Sequence, residues 1–187
     1  MIPLLFSPLL LLGCVSGPTA VEVTRFHLSQ PLGGASIAVQ SADMSGGDSL
    51  VARFEADAMM AELIRAGFKA PTTTQPAMFT ASFAIDRSIA EEPRKSGISV
   101  GFGGGFGGRN GGIVSGVRLP VSKTMQTVSK AVLSLKIRRA GDPGVVWEGR
   151  AAASGTPQDV TAVRLARALL TKFPGPSGQT LMVKPAP

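Results

Sequence analysis

Cysteine, histidine and tyrosine are nearly missing from this chain, whose 187 residues include one cysteine, one histidine and no tyrosine. A lone cysteine excludes an intramolecular disulfide, and one cysteine with one histidine, His27, cannot build a Cys/His metal cluster. Acids are scarce too, 12 against 19 Lys and Arg, so a carboxylate metal site has few residues to draw on and no cofactor is expected. No catalytic constellation is visible. His27 lies in a strand-like segment without a paired cysteine or a serine motif, and reads as a hydrogen-bonded histidine near a sheet edge. Glu91 and Glu92 precede Pro93 in what reads as a charged loop, where adjacent acids are solvated rather than a general acid/base pair.

A long membrane-spanning run is also lacking. Residues 2–12, IPLLFSPLLLL, are apolar and uncharged, but two prolines and a length below about 18 residues argue against a transmembrane helix. They run into Leu11-Leu12-Gly13-Cys14, which resembles a lipobox: branched apolar residues, a small residue, then cysteine. In bacterial lipoproteins that cysteine is acylated and becomes the new N-terminus. The sole cysteine of the chain stands where this chemistry needs it. No Lys or Arg precedes the run, where a signal peptide normally carries basic residues, so either the true start lies upstream or the signal is weak; the alternative is a short buried N-terminal segment carrying a free thiol. Val15 is not the aspartate that retains lipoproteins at the inner membrane, so the resemblance implies an outer-membrane lipoprotein facing the periplasm.

What the chain does have is alternation. In Val128–Arg139, Ala131, Leu133, Leu135 and Ile137 share one face, while Lys130, Ser134, Lys136 and Arg138 share the other. That period of two marks a strand with one buried and one wet side. Gly141 to Gly144 supply a turn, and Val145, Trp147, Gly149 and Ala151 alternate again. A five-residue loop pairs Arg139 with Val145, Ile137 with Trp147 and Lys136 with Glu148, so apolar meets apolar and cation meets anion. Trp147 reads as core, since a strand aromatic is usually buried for its area. Met78–Asp86 alternates most regularly, with Phe79, Ala81, Phe83 and Ile85 on one side, and belongs beside this hairpin. Val21–Leu28 and the short Ile37/Val39 segment read as further strands.

Two helices are expected. The first is capped by Asp48 or Ser49 and runs to Ala66, with Leu50, Phe54, Ala58, Ala61 and Ile64 as its inward stripe, widened by Met60. Gly67 stops it, with Phe68 folding back. The second starts at Thr156-Pro157-Gln158-Asp159, which joins an N-cap, a first-turn proline and a near capping box. It runs to Phe173, with Val163, Ala166, Leu170 and Phe173 inward. Pro174 ends it, and Thr180–Val183 reads as one edge strand in a tail. The fold expected is α+β: a two-layer sandwich of one mainly antiparallel sheet with two helices on one face.

Ser96–Val117 holds ten glycines in 22 residues. Gly103-x-Gly105-x-x-Gly108 matches a dinucleotide fingerprint in letters, yet no helix follows and no acid stands about 20 residues on. Gly97, Gly101 and Gly105 have small-xxx-small spacing, but so many glycines oppose a helix at about 1 kcal/mol each. The stretch reads as a flexible insertion, with Phe102 and Phe106 as contact points for a partner or lipid.

The order of elements then resembles a family. A lipobox cysteine, a strand pair, a helix ending in Ala66-Gly67-Phe68 and the strand FTASF are followed by a Gly/aromatic insertion. The VVWEGRA strand and a helix ending in LLTKFPG come after it. Together, over about Val21 to Phe173, they are similar to the envelope lipoproteins grouped as domain of unknown function 4136. The resemblance implies a small α/β periplasmic domain on a lipid anchor, with no established activity. The organisation expected is a signal peptide (1–13), a lipidated linker (14–20), one domain (21–173, with the insertion at 96–117) and a Pro/Gly-rich tail (174–187).

Residues 1–86 carry 4 basic and 7 acidic side chains, and residues 87–187 carry 15 and 5. Such asymmetry fits nucleic acid, an anionic membrane or only a soluble surface, and the lipobox contradicts the first. The function expected is that of a non-enzymatic accessory or binding module of the envelope, with a hydrolase of cell-wall material as the alternative. Lys130, Lys136 and Arg138, joined by Arg150, read either as a solvated charged surface, as exposed charge runs usually are, or as the candidate contact for anionic lipid headgroups or cell-wall polymer. No protein partner is specified.

Overall fold

A computed structural model describes residues 19–29, 31–42, 49–93 and 125–185. Cys14 and the glycine-rich stretch, with its fingerprint and phenylalanines, lie outside the described residues. The chain forms an α+β fold, which among the described residues is an open six-stranded sheet, mostly antiparallel, with two helices. The strands are β1 (Val21–His27), β2 (Ile37–Ser41), β3 (Phe79–Pro93), β4 (Met125–Arg139), β5 (Val145–Gly155) and β6 (Gln179–Val183). Their order across the sheet is β2-β3-β4-β5-β1-β6, and only β2 and β3 run parallel. That pair is joined through helix α1 (Leu50–Arg65), the crossover a parallel pair requires. Helix α2 (Ala162–Leu170) follows β5.

The hairpin β4–β5 has the expected pairs Ile137 with Trp147 and Lys136 with Glu148. Its turn differs by one residue: an irregularity between Ile137 and Arg138 brings Arg138, not Arg139, opposite Val145. The extra residue is taken up as a bulge beside the turn. Strand β3 lies beside β4 as expected, but it extends to Pro93. Glu91 and Glu92 are therefore strand residues, paired with Thr127 and Gln126, and not a loop.

One sheet face carries the core. Val23, Ile37, Phe83, Leu133, Leu135, Ile137 and Trp147 are fully or almost fully buried there, together with Leu165 and Leu169 of α2. The Trp147 ring packs against Phe173 at 5.3 Å between centroids, and Phe173 meets Phe68, which in turn meets Phe79. Trp147 Nε1 donates to the Pro174 carbonyl at 3.2 Å, so its polar edge is satisfied. Gly149 leaves room for this ring: a Cβ there would lie 2.5 Å from Trp147 Cη2 and 2.7 Å from Leu169 Cδ1.

The start and stop of α1 follow the sequence. Ser49 Oγ accepts from the Ala52 amide at 3.0 Å, Gly67 takes a φ of 104°, and the Phe68 amide donates to the Leu63 carbonyl. The inward face does not follow it. Met59, Glu62 and Leu63 are buried, whereas Leu50 is 81% and Phe54 69% exposed, and Ile64 and Ala61 are also outside. Apolar residues recur on every side of this helix, so periodicity could not choose a face; packing against α2 and β2 does.

The expected single helix from Thr156 is two pieces. Asp159 accepts from the Thr156 amide (3.0 Å) and hydroxyl (2.8 Å) and closes one 3-10 turn, Pro157–Val160. Thr161 then becomes extended and caps α2 afresh, its hydroxyl accepting from Arg164 N. The buried face becomes Ala162, Leu165, Ala166, Ala168, Leu169 and Leu170, with Val163 half-buried and Phe173 beyond the helix. The expected edge strand near Thr180 exists as β6 on β1. Gln179–Val183 of the segment read as a tail thus belongs to the sheet.

Candidate functional site

The sheet face opposite the buried core is built from the even-numbered residues of β1, β3, β4 and β5. Across it run rows of cross-strand neighbours. Gln40, Ser82, Lys136, Glu148 and Phe26 form one row; Ala84, Ser134, Arg150, Thr24 and Thr180 form the next. Asp86, Val132, Ala152, Glu22 and Met182 form a third, and Ser88, Lys130 and Ser154 a fourth. All four cations singled out in the sequence, Lys130, Lys136, Arg138 and Arg150, lie on this face.

They do not make it a positive surface. Glu22, Asp86 and Glu92 stand on the same face with Glu148, acids that the hairpin alone could not show because β1 and β3 supply them. Lys130 Nζ is bonded to Glu92 Oε1 at 2.7 Å and is not a free cation. The charges are sorted by position. Lys136, Arg138 and Arg150 with one acid, Glu148, occupy one end, while Glu22, Asp86 and Glu92 occupy the other with Lys130.

At the cationic end the face dips into a hollow of about 330 Å³ lined by Thr24, Phe26, Ser134, Lys136, Glu148 and Arg150, with the Leu135–Gly149 pair beneath. Phe26 is 50% exposed beside it. Thr24 and Thr180 share a hydroxyl hydrogen bond at 2.7 Å. Among the described residues, the side chains of Ser134, Lys136, Glu148 and Arg150 form no hydrogen bond or ion pair, although Lys136 and Glu148 are cross-strand neighbours. Unpaired charges and a hydroxyl converge there on a concavity with an aromatic rim.

Other polar side chains are committed to structure. Arg25, 3% exposed, crosses under α2, and its guanidinium donates to the carbonyls of Leu169 (2.8 Å), Ala168 (3.1 Å) and Thr171 (3.2 Å). It satisfies the orphan carbonyls at a helix C-terminus and complements the macrodipole there. Burial lowers its pKa from the usual arginine value. Sequence reading missed this role, because an arginine at an inward strand position carries no local mark of its distant partner. Glu62 is likewise buried and bridges Arg65 of α1 (3.0 Å) to Arg167 of α2 (3.2 Å). His27 contacts the Gly175 carbonyl through Nε2 at 2.9 Å, on a strand one removed from the edge. The Asp159 carboxyl is held below the ordinary aspartate range, first by the Thr156 hydroxyl hydrogen bond, while partial burial opposes this. Among the described residues no group of three or more His, Cys, Asp and Glu could hold a metal ion, and no helix is long and apolar enough to cross a membrane.

No family model matches the chain. An uncharacterized protein of Zymomonas mobilis subsp. mobilis is 36% identical over 81 residues, covering 38% of this chain and 30% of that protein's length. Among solved structures, a PelC dodecamer from Paraburkholderia phytofirmans aligns with a TM-score of 0.44 at 13% identity, over 84% of this chain and 99% of that one. A PDZ domain protein from Parabacteroides distasonis aligns with a TM-score of 0.47 at 11% identity, over 90% of this chain and 40% of that one.

Proposed function

We propose that this is a lipid-anchored protein of the bacterial envelope, acylated at Cys14, facing the periplasm from the outer membrane, and acting as a non-enzymatic binding module. In this reading it is an α/β lipoprotein of the domain of unknown function 4136 type. The domain is a two-layer sandwich: the helices take one side of the sheet, and the other side is the working surface. The observation that carries the reading is the pairing of a single cysteine at a lipobox with a sheet face whose end bears unpaired charges around a hollow. A packed core explains the helix side fully. It does not explain why Lys136, Glu148 and Arg150, whose side chains form no ion pair among the described residues, line a hollow on the other.

The anchor is tested by growing cells on a radiolabelled fatty acid. The parent chain takes up label and fractionates with the outer membrane, and Cys14→Ser abolishes both. Equal labelling of parent and variant overturns the anchored reading.

A further inference from the structure

We propose that the hollow formed by Thr24, Phe26, Ser134, Lys136, Glu148 and Arg150 is a binding site for an anionic sugar, a saccharide unit carrying a carboxylate or phosphate. This specifies the ligand of the binding module above and rests on that reading.

Charge distribution separates a compact ligand from an extended anionic surface. A membrane or a flat polyanion laid on this face meets both ends at once. Attraction at Lys136, Arg138 and Arg150 is then offset by repulsion at Glu22, Asp86 and Glu92. A ligand confined to the hollow meets the cationic end alone. The volume of about 330 Å³ sits at the lower end of the range of about 300–1,000 Å³ usual for small-molecule sites.

The lining specifies the chemistry. Arg150 offers a planar fork of donors to a carboxylate or phosphate, and Lys136 adds a point charge one row away. Between them Glu148 can only accept, which suits a hydroxyl and not a second anion. Ser134 and Thr24 can each donate or accept toward further hydroxyls. The half-exposed Phe26 ring supplies the apolar surface on which the carbon-bound face of a sugar ring can lie. A bare anion uses only the two cations. A neutral sugar uses the ring and hydroxyls but leaves Lys136 and Arg150 unanswered. Only a ligand that is both sugar and anion engages the whole lining.

Binding is measured by calorimetry on the full chain in detergent, with trigalacturonate, a galactose phosphate, uncharged galactose and inorganic phosphate as probes. The two charged sugars are expected to bind, the preferred one naming the anionic group, and galactose and phosphate to bind at least about tenfold more weakly. Arg150→Gln and Lys136→Gln each weaken the charged sugar by at least about tenfold. Lys130→Gln, at the other end of the face, leaves it unchanged. The site is overturned if neither charged sugar binds, if galactose or phosphate binds as tightly, or if Lys130→Gln matters as much as Arg150→Gln. Binding to anionic vesicles that Lys130→Gln and Arg150→Gln weaken equally likewise overturns it in favour of a membrane-contact face. Failure of fatty-acid labelling at Cys14 removes the anchored envelope role and leaves this binding result standing, so the two failures are distinguishable.

Discussion

Gly149→Ala tests the core at its tightest point, and two principles give opposite signs for it. Replacing a strand glycine by alanine restricts the unfolded chain and is worth up to about 1 kcal/mol of added stability where the backbone allows it. Gly149 is not in a left-handed conformation, so the backbone raises no objection. The side chain does. A Cβ would stand 2.5 Å from Trp147 Cη2 and 2.7 Å from Leu169 Cδ1, closer than carbon atoms approach. Neither neighbour is a loose end: Trp147 is fully buried and tied to the Pro174 carbonyl, and Leu169 is fully buried on α2. Overpacking of this kind costs about 1–3 kcal/mol against a gain of about 0.4–1 kcal/mol, so at mid-range the clash wins by about 1 kcal/mol. For a chain of this size each kcal/mol moves Tm by about 2–4 °C, so a fall of several degrees is expected in thermal melts followed by circular dichroism. Trp147→Phe relieves the indole part of the clash and leaves the Leu169 contact, so in that background the Gly149→Ala penalty should shrink by at least about 0.5 kcal/mol. A stabilised or unchanged Gly149→Ala chain refutes the reasoning, as does a penalty of the same size in both backgrounds.

Three further outcomes follow from the packing. Arg25→Leu leaves the carbonyls at the C-terminus of α2 without their donor and is expected to cost about 1–3 kcal/mol in urea unfolding. Phe54→Ser on the outer side of α1 should change stability by no more than about 0.5 kcal/mol, whereas Met59→Ala costs about 2–5 kcal/mol; the reverse order would restore the face read from sequence. Asp159, whose folded pKa is lowered, contributes stability that is fully present above its unfolded pKa of about 3.9 and is lost as pH falls through the lower folded value. The stability gap between parent and Asp159→Ala, measured in urea, should therefore be full near neutral pH and narrow below about pH 4.

Elements with a strict period were legible in the sequence. The β4–β5 register followed from matching two alternating runs, and only the bulge beside the turn was missed, because a loop's length does not say which residue it absorbs. The stops of α1 were legible from Gly67 and Phe68, since a left-handed C′ glycine is a local requirement. Its buried face was not, because Leu50, Val51, Phe54, Met59, Met60, Leu63 and Ile64 spread around the whole circumference and the choice is made by α2 and β2. At the candidate site the sequence placed Lys136, Arg138 and Arg150 together on one face. The acids that divide that face come from β1 and β3, and Phe26 comes from β1. Their rows against β4 and β5 exist only once the strand order β2-β3-β4-β5-β1-β6 is known.

The most direct measurement is thiol labelling on the open face, with Ser134→Cys inside the hollow and Ser154→Cys at the acidic end. Each is made in the full chain and compared with the parent to subtract any reaction at Cys14. Both introduced thiols should react with a maleimide in the free protein. The charged sugar that binds more tightly, at saturation, should protect the thiol at position 134 and leave the one at position 154 reactive. A position 134 thiol that fails to react without ligand, or equal protection at both positions, would contradict an open face with a ligand-binding hollow at its cationic end.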